Sequence, residues 1–413
     1  MEINVYNELY DKIKDNYSSY LKSDLITFPV FANIVEKLFN RYNLRNNSKK
    51  AILVTQLNAL GDAFLTTGFL RELKQCYSNY EIILVCSKEN YSIFDSCPYC
   101  SKIYSVKFKN KNMKELLSEI ITFSYENLWQ YKFEMSFSTH WGDLLLPALF
   151  INWFSGANQR IGYGEHTKSM YFKNDILYKS TFGQGFNFDN YLLTDNVKNP
   201  YNMYLDLDRK FYLLEHLGFK IINKSPEVFN STFYSLPKGK KVAMMLGASS
   251  PKKKYPAFKL VKALKEINTI EPIIYILLGD KNDIKAGKWL ENKLDNVINL
   301  VNQISINELY SVISQSDIYL GHDTFCVHVA AAYSKPCIVI EAEAKSKEND
   351  IPGYLSYYHR FKPYNTQSII LRPDVALSPC SSIYTCGGCG ENKSHCIEQI
   401  RPEKIVEAYK ELI

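Results

Sequence analysis

No apolar run in this 413-residue chain approaches the roughly 18–20 residues needed to span a bilayer. The start, MEINVYNELYDKIKD, also lacks the basic n-region and apolar h-region of a secretory signal. Both absences predict a cytoplasmic protein. A net charge of +6 is thin for this length. It permits an anionic substrate or a peripheral contact with the inner face of the membrane, and requires neither. The run KKK at 252–254 is too short for the dense basic stripe that nucleic acid demands, so no nucleic-acid partner is expected. What is present is the composition of a folded protein, 46% hydrophobic and 22% charged, which excludes disorder. The length calls for two domains.

The stretch GHDTFCVHVAAAYSKP (321–336) follows an apolar run, DIYL, that reads as a buried strand. It then opens a helix, with Asp323 and Thr324 at the capping position and Phe325 to His328 in the first turn. Free N–H donors and the positive end of the helix dipole suit a phosphate or diphosphate there. His328, about one turn in, adds a donor on the same side. Such junctions occur in every α/β protein, so the rest of the chain must decide.

KKAILVTQLNALGDAFLTTGFLRELKQCY (49–77) reads as strand, turn and amphipathic helix, with EIILVCS (81–87) and IYSVKF (103–108) as the next strands. FEMSFSTHWGDLLLPALFINWF (133–154) repeats the pattern. Alternation of this kind implies a doubly wound parallel sheet, whose ligands bind beyond the carboxyl ends of the strands. Asn58, Gly61 and Asp62 lie at one such end and His140, Trp141 and Asp143 at another. Asp62 reads either as a helix cap or as a catalytic carboxylate, and the polar and aromatic groups near 140 suit a sugar. The second half restarts the alternation with KKVAMMLGASS (240–250), PIIYILLGDKND, VINLV, the 321 stretch and CIVIEAE (337–343), which is expected to close the sheet.

Other segments carry milder readings. FPVFANIVEKLFNRYNL (28–44) has helical spacing and suits a helix packed on the body of the protein, with a membrane or oligomer contact as the alternative. The stretch 164–200 lacks a period and reads as a long connection. Asp206 and Asp208 form a D-x-D that resembles a metal-nucleotide motif, but acidic residues also favour a helix start. In SCPYC (96–100) the C-x-x-C leads into a strand, and two unrelated thiols are expected. RPEKIVEAYKELI (401–413) is a helix with Pro402 at its start. Cys380, Cys386, Cys389 and Cys396 fall within 17 residues among glycines and suit a closed tetrahedral structural Zn²⁺ or Fe site, with free or partly paired thiols as the alternative. His395 is a substitute ligand.

ILVTQLNALGDAFLTTGFLRELK, GANQRIGY, GASSPKKKYP and GHDTFCVHVAAAYSKP, in this order, resemble glycosyltransferase family 9, whose best-known members are ADP-heptose:lipopolysaccharide heptosyltransferases. The likeness runs from about residue 50 to the C-terminus. It implies the GT-B fold, two Rossmann-like domains facing across a cleft, and an inverting transfer from a nucleotide-diphosphate sugar without a catalytic metal. By this resemblance Asp62 is the general base and Lys253 contacts the donor phosphates. Ser249, Ser250, Asp283, Asp323, Thr324, Phe325 and His328 fall on the donor side, with Asp283 near the residue that holds the donor ribose. Asn58, His140 and Trp141 fall on the acceptor side. Closure of the cleft would bring base and donor face to face.

The implied division is a helical extension (1–48), an acceptor domain with the base (49–215), a donor domain (216–378), and a cysteine knuckle with the final helix (379–413). Related members carry similar C-terminal cysteines, which bind iron in one protein-glycosylating branch. Two departures stand out. Phe325 replaces the usual glycine after Asp-Thr, and EAEAKSKEND replaces a glycine-containing loop. The resemblance therefore implies transfer of a heptose, or a related sugar, to a lipopolysaccharide core or other cell-surface glycan. A protein O-heptosyltransferase and a silent scaffold are the alternatives, and the donor sugar stays open.

Overall fold

The computed structural model describes residue 11 and residues 50–108, 113–140, 145–163, 192–198, 200, 203–345, 357–377 and 395–413. The expected helix at 28–44, most of the 164–200 connection, Trp141, Asp143, Cys380, Cys386 and Cys389 lie outside them. The chain divides into two compact units, Met1–Pro200 with Arg209–Ile222, and Tyr201–Asp208 with Asn223–Ile413.

The first unit is built on β1 (Lys50–Gln56), β2 (Glu81–Ser87), β3 (Lys102–Val106), β4 (Lys132–Ser138), β5 (Gln159–Gly162) and β6 (Asp195–Asn196), in the order 3-2-1-4-5-6. Every pairing is parallel. A parallel sheet covered on both faces reads as continuous apolar runs, and Ala51 to Val54 and Ile82 to Cys86 are wholly buried. Helices α1 (Leu60–Leu65), α2 (Thr67–Cys76), α3 (Met113–Phe123) and α4 (Leu145–Phe154) flank the strands. Phe69 of α2 meets Phe137 of β4 edge-on at 5.6 Å, a favoured aromatic geometry.

The second unit repeats the topology with β7 (Lys241–Met245), β8 (Ile274–Leu278), β9 (Val297–Asn299), β10 (Ile318–His322), β11 (Cys337–Ile340) and β12 (Ser368–Leu371), in the order 12-11-10-7-8-9. These pairings are also parallel. Helix α5 (Asp206–His216) has its first residues in this unit and the remainder in the other. Helices α6 (Ala257–Asn268), α7 (Ile284–Glu291), α8 (Ile306–Ser314), α9 (Phe325–Ala332) and α10 (Pro402–Leu412) follow. Helix α8 starts on a capping box in which Ser305 and Glu308 satisfy each other's backbone donors. Helix α10 has Pro402 in its first turn and buries Ile405, Val406 and Tyr409 in the same core as Leu260 and Leu264 of α6.

CIVIEAE does not close the second sheet. β12 lies outside β11, with Cys337 opposite Ser368. Four residues, SIIL, hold too few alternations to announce a strand, so this edge is set by its neighbour.

In both sheets the strand order reverses between two central neighbours, β1 and β4 in the first and β7 and β10 in the second. Connections leave in opposite directions there and open a crevice beyond the carboxyl ends. Asn58, Asp62 and His140 follow β1 and β4 at the first of these places, and Ser249, Ser250, Lys253, Asp323 and Thr324 follow β7 and β10 at the second.

Candidate functional site

In the first unit, β1 ends at Gln56 and α1 begins four residues later with Ala59 as its N-cap. Asp62 is therefore not the cap. It occupies the first turn, where the dipole favours a carboxylate. One turn on, the Thr66 hydroxyl lies 2.9 Å from the Asp62 carbonyl and 3.2 Å from Gln56 Oε1. Thr139 donates to the same Gln56 oxygen at 2.7 Å, and Lys210 Nζ donates to the Thr139 carbonyl at 3.1 Å. Gln56, Thr66, Thr139 and Lys210 are all buried, so these bonds act in a low dielectric and hold the end of β4 to the helix of Asp62.

Asn58 and His140 meet directly, the Asn58 amide against His140 Nδ1. The Asn90 amide donates to the Asn58 carbonyl. Both Asn58 and His140 are buried, so they shape the rim from within. Gln56 and Lys210 went unread because a polar residue ending a strand and a lysine inside a helix carry no local mark.

In the second unit, the loop after β7 is held by His322, the last residue of β10. Its Nε2 accepts the Tyr255 N–H at 2.8 Å, and its Nδ1–H donates to the Gly247 carbonyl at 3.0 Å. Acceptance at Nε2 requires an unprotonated nitrogen there, which assigns the proton to Nδ1. Burial lowers the His322 pKa to about 4, so the ring is neutral. The bridged loop, 247–255, carries Ser249, Ser250 and Lys253. Ser250 starts the 3-10 turn Pro251–Lys253, and its hydroxyl accepts the Lys252 N–H at 3.4 Å. His322 went unremarked in the sequence, although a histidine closing a buried strand beside an aspartate was the available signal.

Adjacent lysines take different tasks. Lys254 Nζ bonds Asp283 Oδ1 at 2.5 Å, while Asp283 Oδ2 accepts the Asp280 N–H at 3.0 Å. Asp283 is only 2% exposed and is packed against Gly247 and Gly279, where a Cβ would come within 2.8 Å of it. It supports the loop from beneath. Lys253 instead lies close enough to Asp323 to favour its ionised form.

Asp323 and Thr324 follow β10. Thr324 is the N-cap of α9, but its side chain makes no capping bond; the hydroxyl lies 3.4 Å from Tyr319 Oη. The expected side-chain cap is therefore absent, because the hydroxyl turns to the buried tyrosine. The β10–β11 register, with His322 opposite Ile340, brings Asp323 beside Glu341. Burial followed by the Glu341 charge pushes the Asp323 pKa well up, with Lys253 opposing. Asp323 keeps some exposed surface, yet dense protein around it governs its charge. Asp323 and Glu341 line a small pocket with Tyr358 and Lys362. A carboxyl pair that shares a proton can both donate to and accept from a hydroxyl-rich ligand.

His328 is buried in α9, and burial lowers its pKa to about 4 against the pull of Asp206. It is neutral. Phe325 stands at the start of α9 with its ring edge-on to Tyr310 at 6.0 Å. Asp206, the first member of the D-x-D, takes a bidentate pair from Arg360 at 3.0 and 2.8 Å, and Asp208 lies 3.8 Å from Lys224. The acidic helix start is the reading that stands. Among the described residues no group of three or more His, Cys, Asp or Glu is arranged to hold a metal, and no helix is long and apolar enough to cross a membrane.

The sequence model of Glycosyltransferase family 9 (heptosyltransferase) matches residues 144–382, more than half of the chain. Lipopolysaccharide heptosyltransferase 1 of Campylobacter coli is 23% identical over 313 residues, covering 72% of this chain and 85% of that protein. Among solved structures, a glycosyl transferase family 9 protein from Veillonella parvula DSM 2008 superposes with a TM-score of 0.64 at 15% identity, over 88% of this chain and 97% of that one. The E. coli ADP-heptose LPS heptosyltransferase II gives 0.59 at 14% identity, over 88% and 98%. The α/β GT-B class expected from the sequence is the fold of these neighbours.

Proposed function

Because the chain belongs to glycosyltransferase family 9, the heptosyltransferase family, we propose that it transfers a heptose from ADP-heptose to a lipopolysaccharide or lipooligosaccharide core acceptor, with inversion and without a catalytic metal. Heptose and a lipopolysaccharide acceptor are carried over from the name of the Campylobacter coli relative, and the nucleotide from that of the E. coli fold neighbour. The observation that carries the reading is the switch point of the second unit, where Lys253, Asp323 and the start of α9 meet.

In this reading Asp62 takes the proton of the acceptor hydroxyl as it attacks the anomeric carbon opposite the departing diphosphate. Charge grows on that diphosphate as the bond breaks. Lys253 and the N–H donors of α9 stabilise it, a contribution of the kind whose removal costs about 10²–10³ in rate. Asp323, with Glu341, faces the sugar hydroxyls rather than the phosphates, since a carboxyl pair beside an anion would be repelled. Ser249 and Ser250 complete the donor loop, while Asn58, His140 and Trp141 belong to the acceptor side. The protein works in the cytoplasm, against the inner face of the membrane where a glycolipid acceptor is presented.

The four cysteines are assigned to a structural Zn or Fe ion. Cys396 is 3% exposed, its sulfur accepts the Leu377 N–H at 3.4 Å, and His395 Nδ1 lies 3.3 Å away. Donors around a buried sulfur suit a metal-bound thiolate, and elemental analysis of the purified protein tests the assignment.

The deciding experiment incubates ADP-heptose and a core glycolipid with the wild type, Asp62→Asn and Lys253→Ala, and follows product by mass spectrometry with donor affinity by calorimetry. Asp62→Asn should lose at least about 10² in rate with donor affinity kept. Lys253→Ala should weaken the donor. Absence of donor binding in the wild type would replace this reading with that of a silent scaffold.

A further inference from the structure

Cys97 and Cys100, expected to be unrelated, are in contact, with their sulfurs 3.6 Å apart. They flank Pro98 and Tyr99 in the turn between the one-turn helix Tyr91–Phe94 and β3. Backbone bonds anchor the turn at both ends, from Cys97 N–H to the Phe94 carbonyl at 2.8 Å and from Ser101 N–H to the Ile82 carbonyl at 2.8 Å. The turn therefore presents the thiols to each other without a covalent link. A shift of about 1.5 Å separates this contact from a bond of about 2.05 Å. The fold fixes the pair by placing β2 and β3 side by side, which the spacing alone could not reveal.

We propose that Cys97 and Cys100 are a dithiol–disulfide redox site, closed by a low-molecular-weight disulfide such as oxidised glutathione. Cys100, the less buried residue of the two, attacks the small disulfide as a thiolate, forming a mixed disulfide and releasing one small thiol. Cys97, 7% exposed and already in contact, then loses its proton and attacks the Cys100 sulfur, expelling the second small thiol. Two electrons pass to the small disulfide, and the two thiol protons leave with its halves. Contact with Cys97, followed by burial and the nearby Cys86, holds the Cys100 thiol well above its ordinary value, so closure is slow at neutral pH and quickens as the pH rises. The site lies near the rim. Asn90, directly before the one-turn helix, holds the Asn58 carbonyl, and that helix packs against α1, which carries Asp62.

The test equilibrates the full-length protein at pH 8 in glutathione buffers from reducing to oxidising, traps thiols by alkylation and maps the peptides by mass spectrometry. The expected result is a Cys97–Cys100 disulfide within one peptide, two hydrogens lighter, appearing with a single midpoint. In Cys97→Ser, Cys100 should instead retain glutathione. Two results would overturn the proposal: both thiols remaining open to alkylation while Cys76 takes up glutathione, or a Cys100 adduct that accumulates in the wild type without closing. The readout needs no transfer activity, so it stands or fails independently of the function proposed above.

Discussion

The His322 bridge ties the stability of the second unit to pH. Its Nε2 accepts from Tyr255 and its Nδ1–H donates to Gly247, so a proton added at Nε2 would set one N–H against another. The folded pKa of about 4 lies below the ordinary 6.5. The unfolded chain therefore binds the proton first, and stability falls as the pH drops through this window. Stability is full above about 6.5. At 1.36 kcal/mol per pH unit, about 2 kcal/mol is lost by pH 5 and about 3 kcal/mol by pH 4.

Other groups titrate in the same range. His328 adds a loss of the same sign, while Asp323, whose carboxyl holds its proton longer in the fold, works the other way. Among the charges near the ring, Asp283 favours its protonation and Lys254 opposes it. Subtracting His322→Gln from the wild type removes these shared contributions, because glutamine offers an acceptor near the Nε2 position but does not titrate. Trp289 is the single tryptophan of the second unit, the other three being Trp129, Trp141 and Trp153. Its fluorine signal after 5-fluorotryptophan labelling follows urea unfolding of that unit from pH 4 to 8. The wild type should lose about 2 kcal/mol more than the variant between pH 7 and 5. Parallel curves, within about 0.5 kcal/mol, would mean that the neutral bridge is not what holds the loop.

Three further perturbations use the same signal. Arg360→Ala strands the Asp206 carboxylate, 4% exposed in its side chain, and should cost about 3–5 kcal/mol, with Arg360→Lys recovering only part because the bidentate fork is lost; an unchanged midpoint refutes the pair's role. Asp283→Asn should cost about 1–3 kcal/mol, at the lower end if Lys254, 28% exposed, turns to water, and no loss would mean that the loop is held by other contacts. Gly321→Ala puts a Cβ 2.8 Å from Tyr319 Oη and 2.9 Å from the Met245 carbonyl in paired strands, so about 1–3 kcal/mol should be lost; a neutral result would show that β7 and β10 can part locally.

Much of the architecture follows from local pattern. Apolar runs alternating with amphipathic stretches call for parallel sheets, and Pro402 announces the start of α10. The rule that ligands gather beyond strand ends then points to Asp62, His140 and Asp323 before any coordinates are known, and the family resemblance adds Lys253. Each of these inferences needs only neighbours a few residues apart, because helix and strand periods are local.

The pairings within the site required the tertiary structure. His322 meets partners 67 and 75 positions away, and Lys254 reaches Asp283 across 29. Nothing in KKK tells which lysine turns to the buried Asp283 and which stays beside Asp323. The contact of Cys97 with Cys100, the company of Asp323 and Glu341, and the edge position of β12 likewise depend on which strands lie side by side. Sequence alone sets the periods that choose strand or helix. Strand order and register, settled by burial across the whole unit, decide which side chains share a proton, a charge or a bond.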